Sequence, residues 1–133
     1  ALRWLAARDV VVAPVTIDND DYLFNQRLVD ARVAGRTIDI RDEYLAHMSK
    51  MATYYDAKGR RVMGRPVKQV LLLHLNYLNS LYLDDLLQRF RNEGWTFVSL
   101  EEALNDEVYS RQYDYVGTRG AGHLDAIAMP DAK

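Results

Sequence analysis

The chain has no cysteine among its 133 residues, which excludes disulfide staples, thiolate nucleophiles and Cys-ligated zinc. That absence suits the cytosol, and it equally suits a bacterial periplasmic protein without disulfides. There is no excess of charge either. Lys and Arg number 17 against 19 Asp and Glu, and the pI is about 5.9, which argues against nucleic acid or an anionic membrane as the main partner. No apolar run approaches the length of a membrane span. The opening residues Ala1 to Leu5 lack a basic leader followed by a long apolar core, so no signal peptide is expected. Repeats and low-complexity segments are also missing. What remains is ordinary globular composition, 49% hydrophobic and 27% charged, at a length that buries roughly two-thirds of its unfolded surface.

The most informative feature is a pair of β-rich runs that each stop on a reactive residue. Val10-Val11-Val12-Ala13-Pro14-Val15-Thr16-Ile17 runs into Asp18-Asn19-Asp20-Asp21-Tyr22. Val67-Lys68-Gln69-Val70-Leu71-Leu72-Leu73 runs into His74-Leu75-Asn76. Followed by helical patterns, such runs read as parallel strands of an α/β fold. Functional side chains in these folds gather where strands end, so the acidic cluster and the histidine are expected to meet across one pocket.

Helical spacing predicts a first helix over 20–34, ended by Gly35, with Leu23, Phe24, Arg27 and Leu28 in register. A longer helix is expected from near Asp39, carrying Ile40, Tyr44, Met48, Met51 and Tyr55 on one face. Gly59, Gly64 and Pro66 break it. A third is expected from near Asn79 to Gly94, with Leu83, Leu86, Leu87 and Phe90 inward. Trp95-Thr96-Phe97-Val98 reads as a short third strand. Ser99-Leu100-Glu101-Glu102 has the capping-box pattern of a short helix. Residues 110–133, with Gly117, Gly120, Gly122 and Pro130, read as an irregular tail behind a core of 1–109. Leu2, Leu5 and Ala6 resemble the end of a helix without a start. Three parallel strands leave two unpaired edges, so the chain is expected to be one segment of a larger α/β unit.

Asp18, Asp20 and Asp21 suit helix capping, since short polar side chains and negative charge are favoured before a first helical turn. One of them could instead face the pocket as a metal ligand, a base or an orienter of a histidine. The two roles are compatible. His74 is either a core histidine held by a backbone carbonyl or a proton-transfer group at a strand end. A carboxylate beside an imidazole favours the protonated ring, which suits a general acid. His47 lies off its helix's apolar stripe and is expected to be exposed, and His123 falls in the glycine-rich tail. Gly117-Thr118-Arg119-Gly120-Ala121-Gly122 has the wrong glycine order and context for a dinucleotide loop. Lys58, Arg60, Arg61, Arg65 and Lys68 read as a solvated basic loop.

The segments Val12 to Tyr22 and Val70 to Asn76 resemble the last two motifs of the polysaccharide deacetylases, the NodB-homology or carbohydrate esterase four family. Leu83-Asp84-Asp85-Leu86-Leu87 and the stretch Gly94 to Leu104 resemble that family's C-terminal end. The resemblance covers most of the chain to about Tyr109. It implies the C-terminal portion of a deformed (β/α) barrel with about three parallel strands and long helices, acting on an amino-sugar polysaccharide to remove N-acetyl groups. It further implies a divalent, zinc-like metal that polarises the acetamide and binds the attacking water. By the same resemblance His74 matches the acid that protonates the leaving amine, and Asp21 the carboxylate that tunes it. Tyr22 takes the place of the aromatic that follows, Leu72 that of the leucine lining the acetate pocket, and Asp18 and Asn76 are further candidate substrate contacts. Leu75 stands where many members carry Asp.

The family's Thr-Phe-Asp-Asp-Gly motif, which supplies the base and one metal ligand, is absent, as is a His-x-x-x-His pair. Arg65-Pro66-Val67 is not the Arg-x-Pro-Tyr motif. A hydrolytic zinc site takes three protein ligands and an open position, so the metal ligands are expected on a missing N-terminal half or another chain, or in a homo-oligomer. This chain would then carry the general-acid side and be inactive alone. A periplasmic or cell-surface location follows only by analogy. Two other classes remain in view. One is a non-catalytic carbohydrate-binding or structural remnant, with Tyr22, Tyr77 and Trp95 as stacking surfaces. The other is a phospho-acceptor domain, disfavoured because that fold needs five alternating strands and helices.

Overall fold

Three helices make the body of the molecule, and their starts fall close to the positions that periodicity predicts. α1 spans Asp21–Val33, α2 Arg41–Met63 and α3 Tyr77–Asn92. The computed structural model describes residues 4–5, 7–111 and 122–128. α2 is long because Ile40, Tyr44, Met48, Ala52 and Tyr55 recur every three or four residues, and all five are buried; such a stripe can face a core along its whole length. It ends at Gly64, whose φ of 70° is left-handed and whose N–H bonds to the carbonyl of Arg60 at 2.8 Å, a conformation that glycine adopts without a Cβ clash. α3 is capped by Asn76, whose Oδ1 accepts from the N–H of Asn79 at 2.9 Å. Leu78, Leu86 and Phe90 of α3 are buried, whereas Leu83, expected on that face, is 40% exposed.

α1 and α2 each pack on α3, and α2 also packs on a short helix α5, His123–Ala128. Between them comes α4, Leu100–Leu104, capped by Ser99 Oγ accepting from the N–H of Glu102 at 3.1 Å. The box is not reciprocal: Glu102 turns to the Lys68 ammonium at 3.0 Å. A 3-10 turn, Glu107–Ser110, follows. The predicted irregular tail is therefore helical over 123–128, while residues 112–121 of the glycine-rich stretch and 129–133 lie outside the described residues, as do Leu2 and Ala6.

The α/β barrel portion is a correction. Of the described residues 61% are helical and 2% are in strand, and there is no sheet. The three runs read as parallel strands lie outside the helices and are almost unpaired among the described residues. Ile17 and Leu71 form one isolated parallel bridge. Around it the N–H groups of Thr16 and Ile17 donate to the Val70 carbonyl, both at 3.0 Å, and that of Leu72 donates to the Ile17 carbonyl at 3.1 Å. Trp95 to Val98 joins no ladder among the described residues. The physical reason lies in what β-propensity measures, which is fit to a pleated, half-buried surface made by neighbouring strands. With only one short lateral pairing, that surface is absent, and Val10, Val11 and Val12 stay 47%, 77% and 48% exposed. The core is instead made by helices, with the bridge laid against them: Tyr44, Met48, Leu78, Leu86, Val108 and Leu124 are essentially inaccessible.

Candidate functional site

The Ile17–Leu71 bridge does one thing that matters for chemistry: it delivers the ends of both runs to the same place. After Ile17 the chain passes through Asn19, which is 2% exposed. Its Nδ2 donates to the Leu72 carbonyl at 2.5 Å, and its Oδ1 accepts from the N–H of Asp21 at 3.0 Å. Asn19 thus starts α1 through an Asx turn, a task that composition had assigned to the aspartates. Asp20, formally the cap, makes no side-chain cap bond and has φ 56°, a left-handed conformation that costs a non-glycine residue of order 1 kcal/mol. Asp21 then enters the helix as its first residue with a buried carboxylate, where the helix N-terminus favours negative charge.

Asp21 is the hub of the site. Its Oδ1 lies 2.5 Å from Nδ1 of His74. Its Oδ2 accepts from the backbone N–H of His74 at 3.0 Å, from Nδ2 of Asn79 at 2.7 Å and, at 3.4 Å, from Nδ2 of Asn76. The carboxylate side chain is 1% exposed while that of His74 is 50% exposed. The imidazole is therefore fixed through Nδ1 against a buried carboxylate, while half of the side chain stays open to solvent. A carboxylate at Nδ1 selects the Nδ1–H tautomer, leaving Nε2 to accept a proton and to give it back. Asn79, itself buried, also donates to the His74 carbonyl at 2.9 Å, and its Oδ1 accepts from the Tyr44 hydroxyl at 2.6 Å. Burial, and then the charge of Asp21, push the Tyr44 phenol well above the usual tyrosine range, so it stays a donor.

Of the residues singled out in sequence, Asp21, His74, Tyr22 and Asn76 come together. Tyr22 is half-exposed and meets the His74 ring edge-on, with centroids 6.0 Å apart. Asn76 spends its carbonyl on capping α3, so its part is first structural. Leu72 contributes its backbone to the bridge and to Asn19, with its side chain at the surface. Asp18 is exposed and accepts from the next N–H at 3.0 Å. Its charge is felt at Tyr55, whose phenol is raised by burial and then by Asp18.

His47 departs from expectation. It is half-buried, its Nε2 lies 2.7 Å from the Asn19 carbonyl, and its ring packs 5.0 Å from that of Phe24. His123 is buried, with Nε2 2.8 Å from the Val108 carbonyl. The basic loop is not simply solvated: Arg65 bonds to Asp106, and Lys68 to Glu102. Asn79, Tyr44 and Asn19 were missed in sequence. Their one signal is a polar group at a position where the apolar stripe requires burial, which for a lone Asn or Tyr is too common to single out.

The donor set does not fit a hydrolytic metal centre. Both oxygens of Asp21 are engaged by N–H groups, His74 offers only Nε2, and among the described residues no group of three or more His, Asp or Glu converges. A concavity of about 660 Å³ lies elsewhere, between Pro66–Leu71 and Gly94–Val98, and His74 does not line it. Among the described residues no helix is long and apolar enough to cross a membrane. Comparison with family models, with curated proteins and with solved structures yields no match.

Proposed function

We propose that this chain supplies the general-acid side of a hydrolase that removes N-acetyl groups from an amino-sugar polysaccharide, and that it resembles the polysaccharide deacetylases in this respect. The observation that carries the proposal is the His74–Asp21 pair, a half-exposed imidazole held through Nδ1 by a buried carboxylate. In amide hydrolysis the tetrahedral adduct collapses by breaking its C–N bond, and the amine leaves only if it gains a proton. Protonated His74 gives that proton from Nε2, and Asp21 stabilises the imidazolium and keeps the ring in one orientation, the part that the acid of a catalytic triad plays for its histidine. Half-exposed Tyr22 flanks the ring, where a sugar face can stack. The groups that activate the attacking water in such a reaction have no counterpart in the donor set described above. They would come from another segment or a partner chain.

Acetate release from N-acetylglucosamine oligomers by the full natural protein tests this. His74→Ala is expected to lower kcat by about 10²-fold or more, the usual contribution of a positioned acid. Undiminished turnover in that variant would sink the proposal. A second class, a non-catalytic glycan-binding module, is favoured by the exposure of Tyr22 at 51% and Tyr77 at 37%. Trp95 is a weaker candidate surface, since it packs on Phe90 with ring centroids 6.2 Å apart. Calorimetry showing oligosaccharide binding without acetate release, and weakened by Tyr22→Ala, would select it.

A further inference from the structure

We infer that Tyr44 and Asn79 are positioning residues that fix the tautomer and orientation of His74 by locking the Asp21 carboxylate. The inference rests on His74 being the proton-transfer group, but it is tested on the ring itself rather than on turnover. The geometry is a chain of directed bonds across three helices: Tyr44 of α2, Asn79 of α3, and Asp21 at the start of α1. An amide has one acceptor and one donor end, and a buried amide must satisfy both. The Nδ2 of Asn79 meets two acceptors, Asp21 Oδ2 at 2.7 Å and the His74 carbonyl at 2.9 Å. Rotated by half a turn, the amide would point its oxygen at both of them and its NH₂ at the Tyr44 hydroxyl. The carboxylate and the carbonyl have no proton to give, which closes that rotation, and the Tyr44 hydroxyl satisfies the amide's other end by donating to Oδ1 at 2.6 Å. The two acceptors set the polarity of the amide, Tyr44 anchors its other end, and the amide engages Oδ2 of Asp21, leaving Oδ1 for the imidazole.

The lock grips His74 at three points. Asp21 takes its backbone N–H and its Nδ1, and Asn79 takes its carbonyl. Neither Tyr44, which is 0% exposed, nor Asn79, which is 7% exposed, is placed to touch a substrate at Nε2. Tyr44 acts through Asn79, and Asn79 acts on the ring through Asp21 and on the His74 backbone through its carbonyl.

The chain holds three histidines, and the other two serve as internal standards. His47 and His123 present Nε2 to backbone carbonyls, which selects the Nε2–H form, whereas His74 presents Nδ1 to a carboxylate. Nitrogen-15 spectra of the full chain labelled at histidine report each tautomer separately. In the wild type His74 is expected as Nδ1–H with a protected, downfield Nδ1 proton. Asn79→Ala and Tyr44→Phe are each expected to lose that proton signal and to shift His74 toward a mixture of tautomers, with His47 and His123 unmoved. Tyr44→Phe keeps the buried ring, so it remains informative if Asn79→Ala fails to fold. A folded variant whose His74 spectrum matches wild type overturns the inference, and so does a shift of all three histidines together, which marks a merely structural role. Loss of the His74 signal in a full natural protein without deacetylase activity would leave the positioning role standing and remove the proposed hydrolysis instead.

Discussion

Asp21 and Asp106 are both buried carboxylates, with side chains 1% and 6% exposed, yet their partners differ in kind. Asp21 faces amide and imidazole donors. Asp106 faces the Arg65 guanidinium at 2.7 and 3.1 Å and the N–H groups of Lys68 and Val108, both at 3.0 Å. The Arg65 hydrogen bond first, with help from the two N–H groups and against the opposing effect of burial, holds Asp106 well below the usual carboxylate range. A folded pKa below the unfolded one means stability fully present above about pH 4 and lost as pH falls further. Urea midpoints are therefore expected to drop below about pH 4. Asp106→Asn should flatten that drop while costing roughly 1–3 kcal/mol at neutral pH. An unchanged acid limb in the variant would show that the clamp contributes little. Position also separates the two members of the His74 pair. Truncating half-exposed His74 to Ala is expected to cost about 1 kcal/mol, whereas Asp21→Ala strands the His74 and Asn79 donors and costs roughly 2–4 kcal/mol. Paired urea curves would decide, and equal losses would mean that Asp21 is not the hub.

At the scale of elements α2 comes very close to the 67–71 run at Gly59. A Cβ on Gly59 would stand 2.6 Å from Cγ2 of Val67, and 3.2 Å from Nε2 of Gln69. On helix propensity alone Gly59→Ala should stabilise α2 by about 1 kcal/mol. Val67 is buried and β-branched, with little rotamer freedom to yield, so overpacking is expected to win, with a net loss of about 1–2 kcal/mol. A rise in thermal midpoint would mean that the 67–71 segment moves aside easily. Gly59 also shows where the sequence could be read and where it could not. Read as a helix breaker, it is instead an interior residue of α2, because a breaker and a point of close packing look alike without the partner. The stripe Tyr44, Met48, Tyr55 and the ends at Ser99 and Gly64 depend on neighbours within one turn, and so they were legible, or nearly so, whereas Asn76, read as a substrate contact, proves to be a cap. The meeting of Asp21 with His74 was legible as two run ends. Asn79 was not, since its role is defined by Tyr44, 35 residues away.

Across the whole molecule the same distinction explains the sheet that does not form. Local composition marks Val10 to Ile17, Val67 to Leu73 and Trp95 to Val98 as strand-like, and none of the three is helical, but pairing is a property of partners. The chain's own helices bury one side of these runs through Ile17 and Val67 and leave Val11 at 77%, Phe97 at 49% and Val98 at 44% exposed. Backbone donors and acceptors in exposed, β-rich runs are templates for another chain, and patches of this kind mark contact sites. Association through these runs is accordingly expected to depend on concentration and to be separable from folding. Val11 packs against little, so Val11→Lys should change stability by no more than about 0.5 kcal/mol, while placing a charge on the edge that opposes strand pairing. Sedimentation velocity across a range of concentrations, run beside a urea curve, reads both effects. Wild type is expected to shift to faster species as concentration rises, and Val11→Lys to stay slow with an unchanged urea midpoint. Identical, concentration-independent sedimentation for both proteins would show that the exposed runs are not a contact surface between copies, and would leave the His74 site to find any missing groups elsewhere.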